Sequence, residues 1–208
     1  GLGESLYMTL LSTLVSYIIG LPLGLILVVT DKNGIRPNAP VNHILGAIVN
    51  ILRSVPFLIL LVAVIPFTRL ITGTSIGSTA TVVPLVIAAA PFVARVVESS
   101  IKEVDRGVIE ASLSMGASTM QVVRKVLVPE AMPSLLTGLA LSLTTILSYS
   151  AMAGFVAGGG LGAIAINYGY YRKETDIMLL MVIILVIIVQ VFQGIGNWIA
   201  RRADKRIR

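Results

Sequence analysis

The ionisable side chains of this sequence are few, and their positions offer little catalytic chemistry. Among 208 residues there are 10 acidic residues, one histidine and no cysteine. The carboxylates fall in predicted loops or within a turn of the ends of apolar segments, whereas transporters that carry a coupling ion commonly need an acid deep in the membrane. The sequence also lacks an HExxH pair for zinc and a GxxxxGK[ST] loop for nucleotide phosphates. We therefore predict no catalytic residue, no metal site and no nucleotide site in this chain.

The densest group of polar residues is the stretch EASLSMGASTMQVVRKVLVPEAMP, which begins at Glu110 between two apolar segments. Asp105 is suited to cap a preceding helix, and Gly116 suits the left-handed position that follows a helix end. Ser118 and Gln121 have the spacing of a capping box, which predicts the start of a second helix. The stretch therefore predicts two short helices joined by a tight turn.

We call this element the hairpin and expect it to cover about residues 103–131, with Pro129 ending its second helix within a residue or so. Its first helix is too short to be stable alone in water, since helices below about 12 residues are marginal without packing. Something must therefore cover its apolar residues. Either the chain's own helices cover them, or a soluble partner docks on them, and the periodicity leaves both readings open. The apolar residues of this first helix that need cover are Val108, Ile109, Leu113 and Met115.

The rest of the chain has the composition of an integral membrane protein. It is 56% hydrophobic and 12% charged, with a mean hydropathy of +0.94. We predict a single all-α membrane domain over residues 1–208, because backbone groups in lipid must be paired internally and no barrel-type alternation is present. The first segment is too long for the apolar region of a signal peptide, so we expect it to stay as a helix. The five predicted spans are Leu6–Thr30, Ile44–Phe67, Thr79–Ile101, Met132–Ala157 and Asp176–Ala200.

The distribution of positive charge predicts the orientation of these spans. Cytoplasmic loops carry an excess of Lys and Arg, so the N-terminus is expected outside and the C-terminus in the cytoplasm. This topology accounts for the net charge of +6, and no nucleic-acid partner is required. The predicted outer cations are Arg69, Arg172 and Lys173. The predicted inner cations are Lys32, Arg36, Lys102, Arg106, Arg124, Lys125, Arg201, Arg202, Lys205, Arg206 and Arg208.

Two arginines, Arg53 and Arg95, fall inside the predicted spans. Either side chain can reach the inner surface by snorkelling, Arg53 especially if an interfacial stretch from Val41 to Leu52 precedes the second span. The alternative is a functional ion pair between Arg53 and Glu98 near the inner mouth.

Small residues predict close helix packing at two places. Gly20 and Gly24 flank a proline in the first segment, a pattern that favours close approach and a kink without identifying the partner helix. The fourth segment is also rich in small residues, and Tyr149 and Met152, next to Ser148, are its bulky exceptions. Most of the small residues are explained by packing alone. We hypothesise that the two bulky residues, with Ser148, line a path or gate, since Met is flexible and polarizable and a Tyr hydroxyl can bind a polar group.

The hairpin resembles the EAA motif of ABC importer permeases. That pattern is EAA, three residues, a glycine, nine residues, and then an aliphatic residue and a proline. Ser112 departs from the third alanine, a change between small residues. The matching positions are Glu110, Ala111, Ser112, Gly116, Val126, Leu127, Val128 and Pro129.

In that family the motif forms a coupling helix that fits a cleft on the ATP-binding subunit and transmits its closure to the membrane helices. The resemblance implies that the hairpin docks an ATPase here, with ATP and Mg held by that partner and no cofactor in this chain. The positions implied in docking and coupling are Glu110, Ala111, Ser112, Met115, Gly116 and Ala117.

Longer stretches, among them VNILRSVPFLILL, AAPFVARVVE and YSAMAGFVAGGGLG, look like the permease subunit of methionine importers. The resemblance implies a type I importer fold with five transmembrane helices in the bacterial cytoplasmic membrane. It also implies a homodimer, two ATP-binding subunits and an external methionine-binding protein, which together import D- or L-methionine. A permease for another amino acid is the nearest alternative. A channel or facilitator that needs no ATPase fits the spans equally well, but has no reason to carry the EAA spacing.

The outer segment after the fourth span begins with the run Gly158–Gly160, which predicts a bendable connection that continues to Tyr171. Tyr168, Tyr170, Tyr171 and Arg172 follow in this region. They are either contacts for the implied binding protein or part of the aromatic belt that membrane proteins place at the lipid surface.

Overall fold

The computed structural model of the chain describes residues 1–156 and 158–204. Ala157, the predicted end of the fourth span, and the predicted inner cations Lys205, Arg206 and Arg208 lie outside the described residues. Within those ranges the chain forms helices and no strand, as predicted. The α-helices, numbered in chain order, are α1 (Leu2–Thr30), α2 (Ala39–Ser54), α3 (Phe57–Ala63), α4 (Ile65–Thr72), α5 (Ser78–Lys102), α6 (Arg106–Ser114), α7 (Thr119–Val122), α8 (Val128–Glu130), α9 (Met132–Met152), α10 (Gly160–Ile164) and α11 (Thr175–Ala203).

Four of the described helices are long and apolar enough to cross a membrane. They are α1, α5, α11 and the helix Met132–Val156, in which a 3₁₀ turn continues α9. Helices α2 and α3 pass the same test together, although they are bent by 101° relative to each other. The described residues therefore offer five spans, the predicted number, when the bent pair counts as one.

The second span differs from the prediction because it is broken in the middle. Hydropathy runs without interruption through this segment, so the sequence predicted one helix from Ile44 to Phe67. The ring of Pro56 disfavours a helical conformation for the residue before it, and Val55 is extended, with φ −80° and ψ 124°. The chain leaves the helix there and starts a new one at Phe57 in a different direction.

Helices α1 and α5 form the most extensive helix contact, and glycines allow it. A Cβ on Gly20 would lie 2.8 Å from the carbonyl oxygen of Ala90, and one on Gly24 would lie 2.6 Å from that of Ala94. The backbones therefore approach more closely than any side chain would permit. The GxxxG pattern is thus explained by packing, and its partner helix is α5.

The beginning of α1 holds the start of α10 at the end of the bundle opposite the hairpin. The Glu4 carboxylate accepts a hydrogen bond from the Gly160 N–H at 2.7 Å, and the Ser5 hydroxyl accepts one from the Leu161 N–H at 2.8 Å. These two bonds pair backbone N–H groups in the first turn of α10, which have no acceptor within the helix. The predicted bendable connection to Tyr171 is therefore wrong: the chain forms α10 and a π-helical segment, Ala165–Tyr171.

Helix α11 lies on the outside of the single chain. In its most apolar window only 6% of the residues are buried, and Leu180, Ile183 and Ile187 are each more than half exposed. A helix of 29 residues with this composition is long enough to face lipid through the whole bilayer core.

Candidate functional site

The hairpin is built by local capping bonds that the sequence predicted. The Asp105 carboxylate accepts a hydrogen bond from the Gly107 N–H at 2.7 Å and so caps α6. The Ser118 hydroxyl and the Gln121 side chain form both bonds of a capping box at the start of α7. Each bond pairs a backbone donor that the first turn of a helix leaves free. The prediction of two capped helices is therefore confirmed.

Gly116 makes the turn between the two helices. Its φ is +83°, which is the left-handed region that side chains oppose. The Gly116 N–H donates to the Leu113 carbonyl at 2.9 Å, and the Ala117 N–H donates to the Ser112 carbonyl at 3.2 Å. These bonds pair the carbonyls at the end of α6 and close the turn.

The second half of the hairpin is interrupted before it ends. Helix α7 passes into a π-helical turn, Val123–Leu127, and then into α8, which ends at Glu130. The helical path therefore stops one residue after Pro129, and Ala131 separates it from α9. The expectation that Pro129 ends the second helix within a residue or so is confirmed, whereas the π-helical turn was not predicted.

One face of the hairpin packs on the chain's own helices. Val122 and Leu127 are fully buried, in a cluster with Val93, Val97 and other residues of α5, and Ile109 packs against this cluster. The chain therefore holds the hairpin firmly against the end of α5.

The opposite face of the hairpin is left uncovered by the described residues. Met115 is 81% exposed and Met120 is 63% exposed, and Val108 and Leu113 are also exposed. The two readings that the sequence left open thus apply to different faces, since Ile109 is packed inward while the other three predicted apolar residues are open. Exposed apolar side chains grouped on one short element are typical of a protein contact.

The six residues implied by the EAA resemblance divide in the same way. Glu110, Ala111, Met115 and Gly116 are exposed, whereas Ser112 is buried and Ala117 is half-buried against the hairpin's core. The Ser112 hydroxyl donates to the Val108 carbonyl at 2.8 Å. Its hydroxyl is therefore paired within α6, which explains why serine is tolerated in place of alanine.

The predicted ion pair between Arg53 and Glu98 does not form. Glu98 is buried and receives its hydrogen bonds from Arg95 and from Lys102, the latter at 2.8 Å, while Arg53 is exposed. Both partners lie on α5 itself, three and four residues from Glu98, so they are always within reach of it. A cation on another helix has no such advantage.

Lys102 and Arg95 extend these pairs to neighbouring elements. The Lys102 ammonium also lies 3.0 Å from the Asp31 carboxylate, just after α1. The Arg95 guanidinium donates to the Asn50 side chain at 2.8 Å and to the Gly46 carbonyl at 3.2 Å, both on α2. We call Asp31, Lys102, Glu98 and Arg95 the ion-pair chain. The sequence reasoning missed it, although the opposite charges at the end of one span and the end of another were a usable signal.

The pKa of Asp31 reflects this setting. The hydrogen bond from Lys102, followed by the one from the Asn33 N–H, lowers the pKa of the Asp31 carboxyl below its ordinary value of 3.8. The carboxylate is therefore charged throughout the neutral range. It borders a cavity of about 560 Å³ between the α1–α2 loop and α6, which Lys102 and Glu110 also line.

The predicted path residues lie at the end of α9, and the structure adds a partner for one of them. Tyr149 is half-buried and its ring stacks on that of Phe57, with centroids 4.6 Å apart and planes 4° from parallel. Met152 is 41% exposed and Ser148 is exposed, its hydroxyl donating to the Thr144 carbonyl at 3.0 Å. Phe57 was not singled out from the sequence, because the break at the preceding proline, which brings its ring against Tyr149, was not predicted.

The tyrosines between α10 and α11 are exposed, in keeping with both of their predicted roles. The Arg172 guanidinium lies 4.5 Å from the centre of the Tyr168 ring, and the Tyr170 and Tyr171 rings pack edge to face at 5.3 Å. This group forms an aromatic and cationic surface at the end opposite the hairpin.

Comparisons with known proteins cover both the hairpin and the aromatic surface around Tyr168. Residues 20–208 match the family described as "Binding-protein-dependent transport system inner membrane component". The chain is 52% identical over 203 residues to the "Probable D-methionine transport system permease protein MetI" of Vibrio cholerae, covering 98% of this chain and 90% of that protein. It is 44% identical over 181 residues to the "Methionine import system permease protein MetP" of Bacillus subtilis, covering 87% and 82%.

The fold has similar solved structures. A structure of inward-facing conformations of the MetNI methionine ABC transporter contains a chain that superposes with a TM-score of 0.97 at 48% identity, over 99% of this chain and 95% of that one. A chain of an amino acid ABC transporter superposes with a TM-score of 0.79 at 24% identity, over 97% and 92%. The second likeness concerns the fold alone.

Proposed function

This chain belongs to the family of binding-protein-dependent transport system inner membrane components, and from that premise we propose that it is the permease subunit of an ATP-driven methionine importer. In this role it forms the path by which D- or L-methionine crosses the cytoplasmic membrane, through alternating access driven by partner ATPases. The named relatives support the substrate, since the two described above are called methionine permeases and one of them aligns over nearly the whole chain. The likeness to a methionine ABC transporter supports the mechanism.

The observation that carries the coupling part of this proposal is the two-sided hairpin. One side is anchored through Val122 and Leu127, and the other presents Met115 and Met120, which the described part of the chain leaves exposed. An ATP-binding subunit that docks on the open side can therefore push on α5 without first ordering the hairpin. Glu110, Ala111, Met115 and Gly116 belong to the docking surface itself, while Ser112 and Ala117 hold its shape.

The assembly that this role requires is a homodimer with two ATP-binding subunits and an external methionine-binding protein. ATP and Mg belong to the ATP-binding subunits. The hairpin then faces the cytoplasm and the aromatic surface around Tyr168 faces the binding protein. In support of this orientation, the hairpin end carries Lys32, Arg106 and Arg201 around its two cavities, and the positive-inside rule places such an end in the cytoplasm.

Tyr149, Met152 and Ser148 are proposed to line the methionine path. They lie on a side of α9 that this chain leaves partly open, where a second copy related by two-fold symmetry can face them. The Met152 thioether suits contact with the thioether of the substrate. Alanine substitutions at Tyr149 and Met152 are expected to lower uptake; variants that assemble, hydrolyse ATP and import at the wild-type rate would refute this assignment.

The experiment that tests the function is uptake of labelled methionine into proteoliposomes with the candidate ATPase and binding protein. Wild type is compared with Gly116→Asp, which places a charge in the docking surface, and with Gly3→Asp, which places the same charge at the opposite end where a Cβ meets no atom within 4 Å. Uptake is expected to need ATP, to fail in Gly116→Asp and to persist in Gly3→Asp. Uptake by the chain alone, untouched by either change, would mean a facilitator.

A further inference from the structure

The ion-pair chain lies between the hairpin and the proposed path. Lys102 is the last residue of α5, and Asp105, three residues later, caps the first helix of the hairpin. Any displacement of the hairpin therefore acts directly on the position of Lys102. At this point α5 is joined to the end of α1 by the ion pair between Lys102 and Asp31.

The same charges join α5 to the broken span. Glu98 forms ion pairs with both Lys102 and Arg95, and the Arg95 guanidinium donates hydrogen bonds to Asn50 and Gly46 on α2. Helix α2 ends four residues after Asn50, and the chain then bends at Pro56 into Phe57, whose ring stacks on Tyr149. A route made of polar contacts, the backbone of α2 and one aromatic stack thus runs from the hairpin to the proposed path.

The arrangement of charge favours a link that moves as a unit. The four groups alternate in sign and sum to zero, and Glu98 is buried, its side chain 11% exposed. A buried carboxylate that loses a cationic partner pays the cost of desolvation without compensation, so the pairs are expected to hold through a movement of α5.

We propose that Asp31, Lys102, Glu98 and Arg95 are the positioning residues that pass hairpin movement to α1 and to the broken span, and so couple ATP hydrolysis to opening of the path. The inference rests on the proposed function and adds to it the route of coupling inside this chain. None of the four residues belongs to the proposed path or to the proposed docking surface. Their loss is therefore expected to separate hydrolysis from transport instead of abolishing either directly.

The test measures methionine imported and ATP hydrolysed in the same proteoliposomes, for the full complex. Asp31→Asn keeps the shape of the side chain and removes its charge. Lys102→Met removes both ion pairs that the ammonium group forms, with Asp31 and with Glu98. Lys102→Arg restores a cation that can reach both carboxylates. Lys32→Met is the matched control, because Lys32 lines the same cavity and contacts none of the four groups in the described ion pairs, its Coulombic effect on Asp31 being smaller than that of Lys102.

We expect Asp31→Asn and Lys102→Met to raise the ATP consumed per methionine imported by roughly twofold or more, the size of effect reported for residues that carry coupling. Lys102→Arg and Lys32→Met are expected to stay near the wild-type ratio. A ratio unchanged in Asp31→Asn, or a parallel fall of hydrolysis and uptake in both variants, would show a structural role and overturn the inference. Wild-type complex without ATP-dependent methionine uptake would instead refute the proposed function, and the inference with it.

Discussion

At the scale of single residues, Gly116 has a backbone conformation that favours glycine, although the space around it would admit a side chain. Its φ is +83° and an added Cβ would meet no atom of the described residues within 4 Å, so the cost of adding a methyl group there is backbone strain. Gly73, which ends α4 at the opposite end of the bundle, has a φ of +74° and is equally open. The two glycines are therefore matched in strain and differ in location.

We expect Gly116→Ala and Gly73→Ala each to lower the free energy of unfolding of the isolated chain by about 1–2 kcal/mol, the cost of a left-handed residue with a side chain. Denaturant unfolding in detergent measures this. Only Gly116→Ala should weaken binding of the ATP-binding subunit, as measured by titration of the two purified proteins. Equal binding by both variants would remove Gly116 from the docking surface.

Asp31 gives a prediction about pH. The native pKa of this carboxyl lies below the ordinary value of 3.8 because Lys102 and the Asn33 N–H bind its charged form. The stability that the Asp31 carboxylate contributes is therefore fully present above its ordinary pKa of 3.8, and it is lost as the pH falls through the lowered native pKa. We expect the difference in unfolding midpoint between wild type and Asp31→Asn to be constant from about pH 5 to 8 and to shrink only in stronger acid. If the difference in unfolding midpoint instead disappeared as the pH fell from about 8 to about 5, this assignment of the Asp31 carboxylate would be contradicted.

At the scale of elements, the start of α7 depends on its cap. The α-helical part has four residues before the π-helical turn, and its first turn is paired by Ser118 and Gln121. Ser118→Ala is expected to cost about 1 kcal/mol and to speed hydrogen exchange of the Gln121 amide roughly fivefold. Ser114, exposed at the end of α6, is the control, and Ser114→Ala should leave that exchange rate unchanged. Equal rates in wild type and Ser118→Ala would show that packing alone holds α7.

The elements also show which features a sequence predicts and which it does not. The caps at Asp105 and Ser118 and the turn at Gly116 were predictable because each is decided within four residues. The break at Pro56 was missed because hydropathy, which is continuous there, dominated the signal of one proline. The end of the hairpin's second helix near Pro129 was predicted, whereas the π-helical turn before it, Val123–Leu127, was not.

Contacts between elements were the least predictable part of the site. An ion pair of Glu98 with Arg53 was the alternative to a snorkelling Arg53, but Arg95 and Lys102 on the same helix as Glu98 donate to both of its carboxylate oxygens. The stack of Phe57 on Tyr149 depends on a bend of 101° between two helices, which no local pattern encodes. The candidate residues were thus found from their types and spacing, while their partners required the three-dimensional fold.

At the scale of the whole molecule, the two ends of the bundle differ in chemistry. The α1–α2 loop, the hairpin and the end of α11 meet around two cavities at one end, with cations from all three elements. The other end carries the contact between Glu4 and Gly160 and the aromatic group around Arg172. This polarity suits a permease that receives substrate on one side and ATP-driven movement on the other.

The orientation of that polarity is the last prediction, and the absence of cysteine from the sequence makes it simple to test. Thr74→Cys places a thiol at an exposed position of the loop before α5, and Ser114→Cys places one in the hairpin. Because the positive-inside rule puts the cationic end in the cytoplasm, a membrane-impermeant maleimide added to intact cells should label Thr74→Cys at once and Ser114→Cys only after the membrane is opened. The unsubstituted chain gives no background label. The reverse pattern would place the hairpin outside, where no ATP-binding subunit can reach it, and would remove the basis of the coupling mechanism.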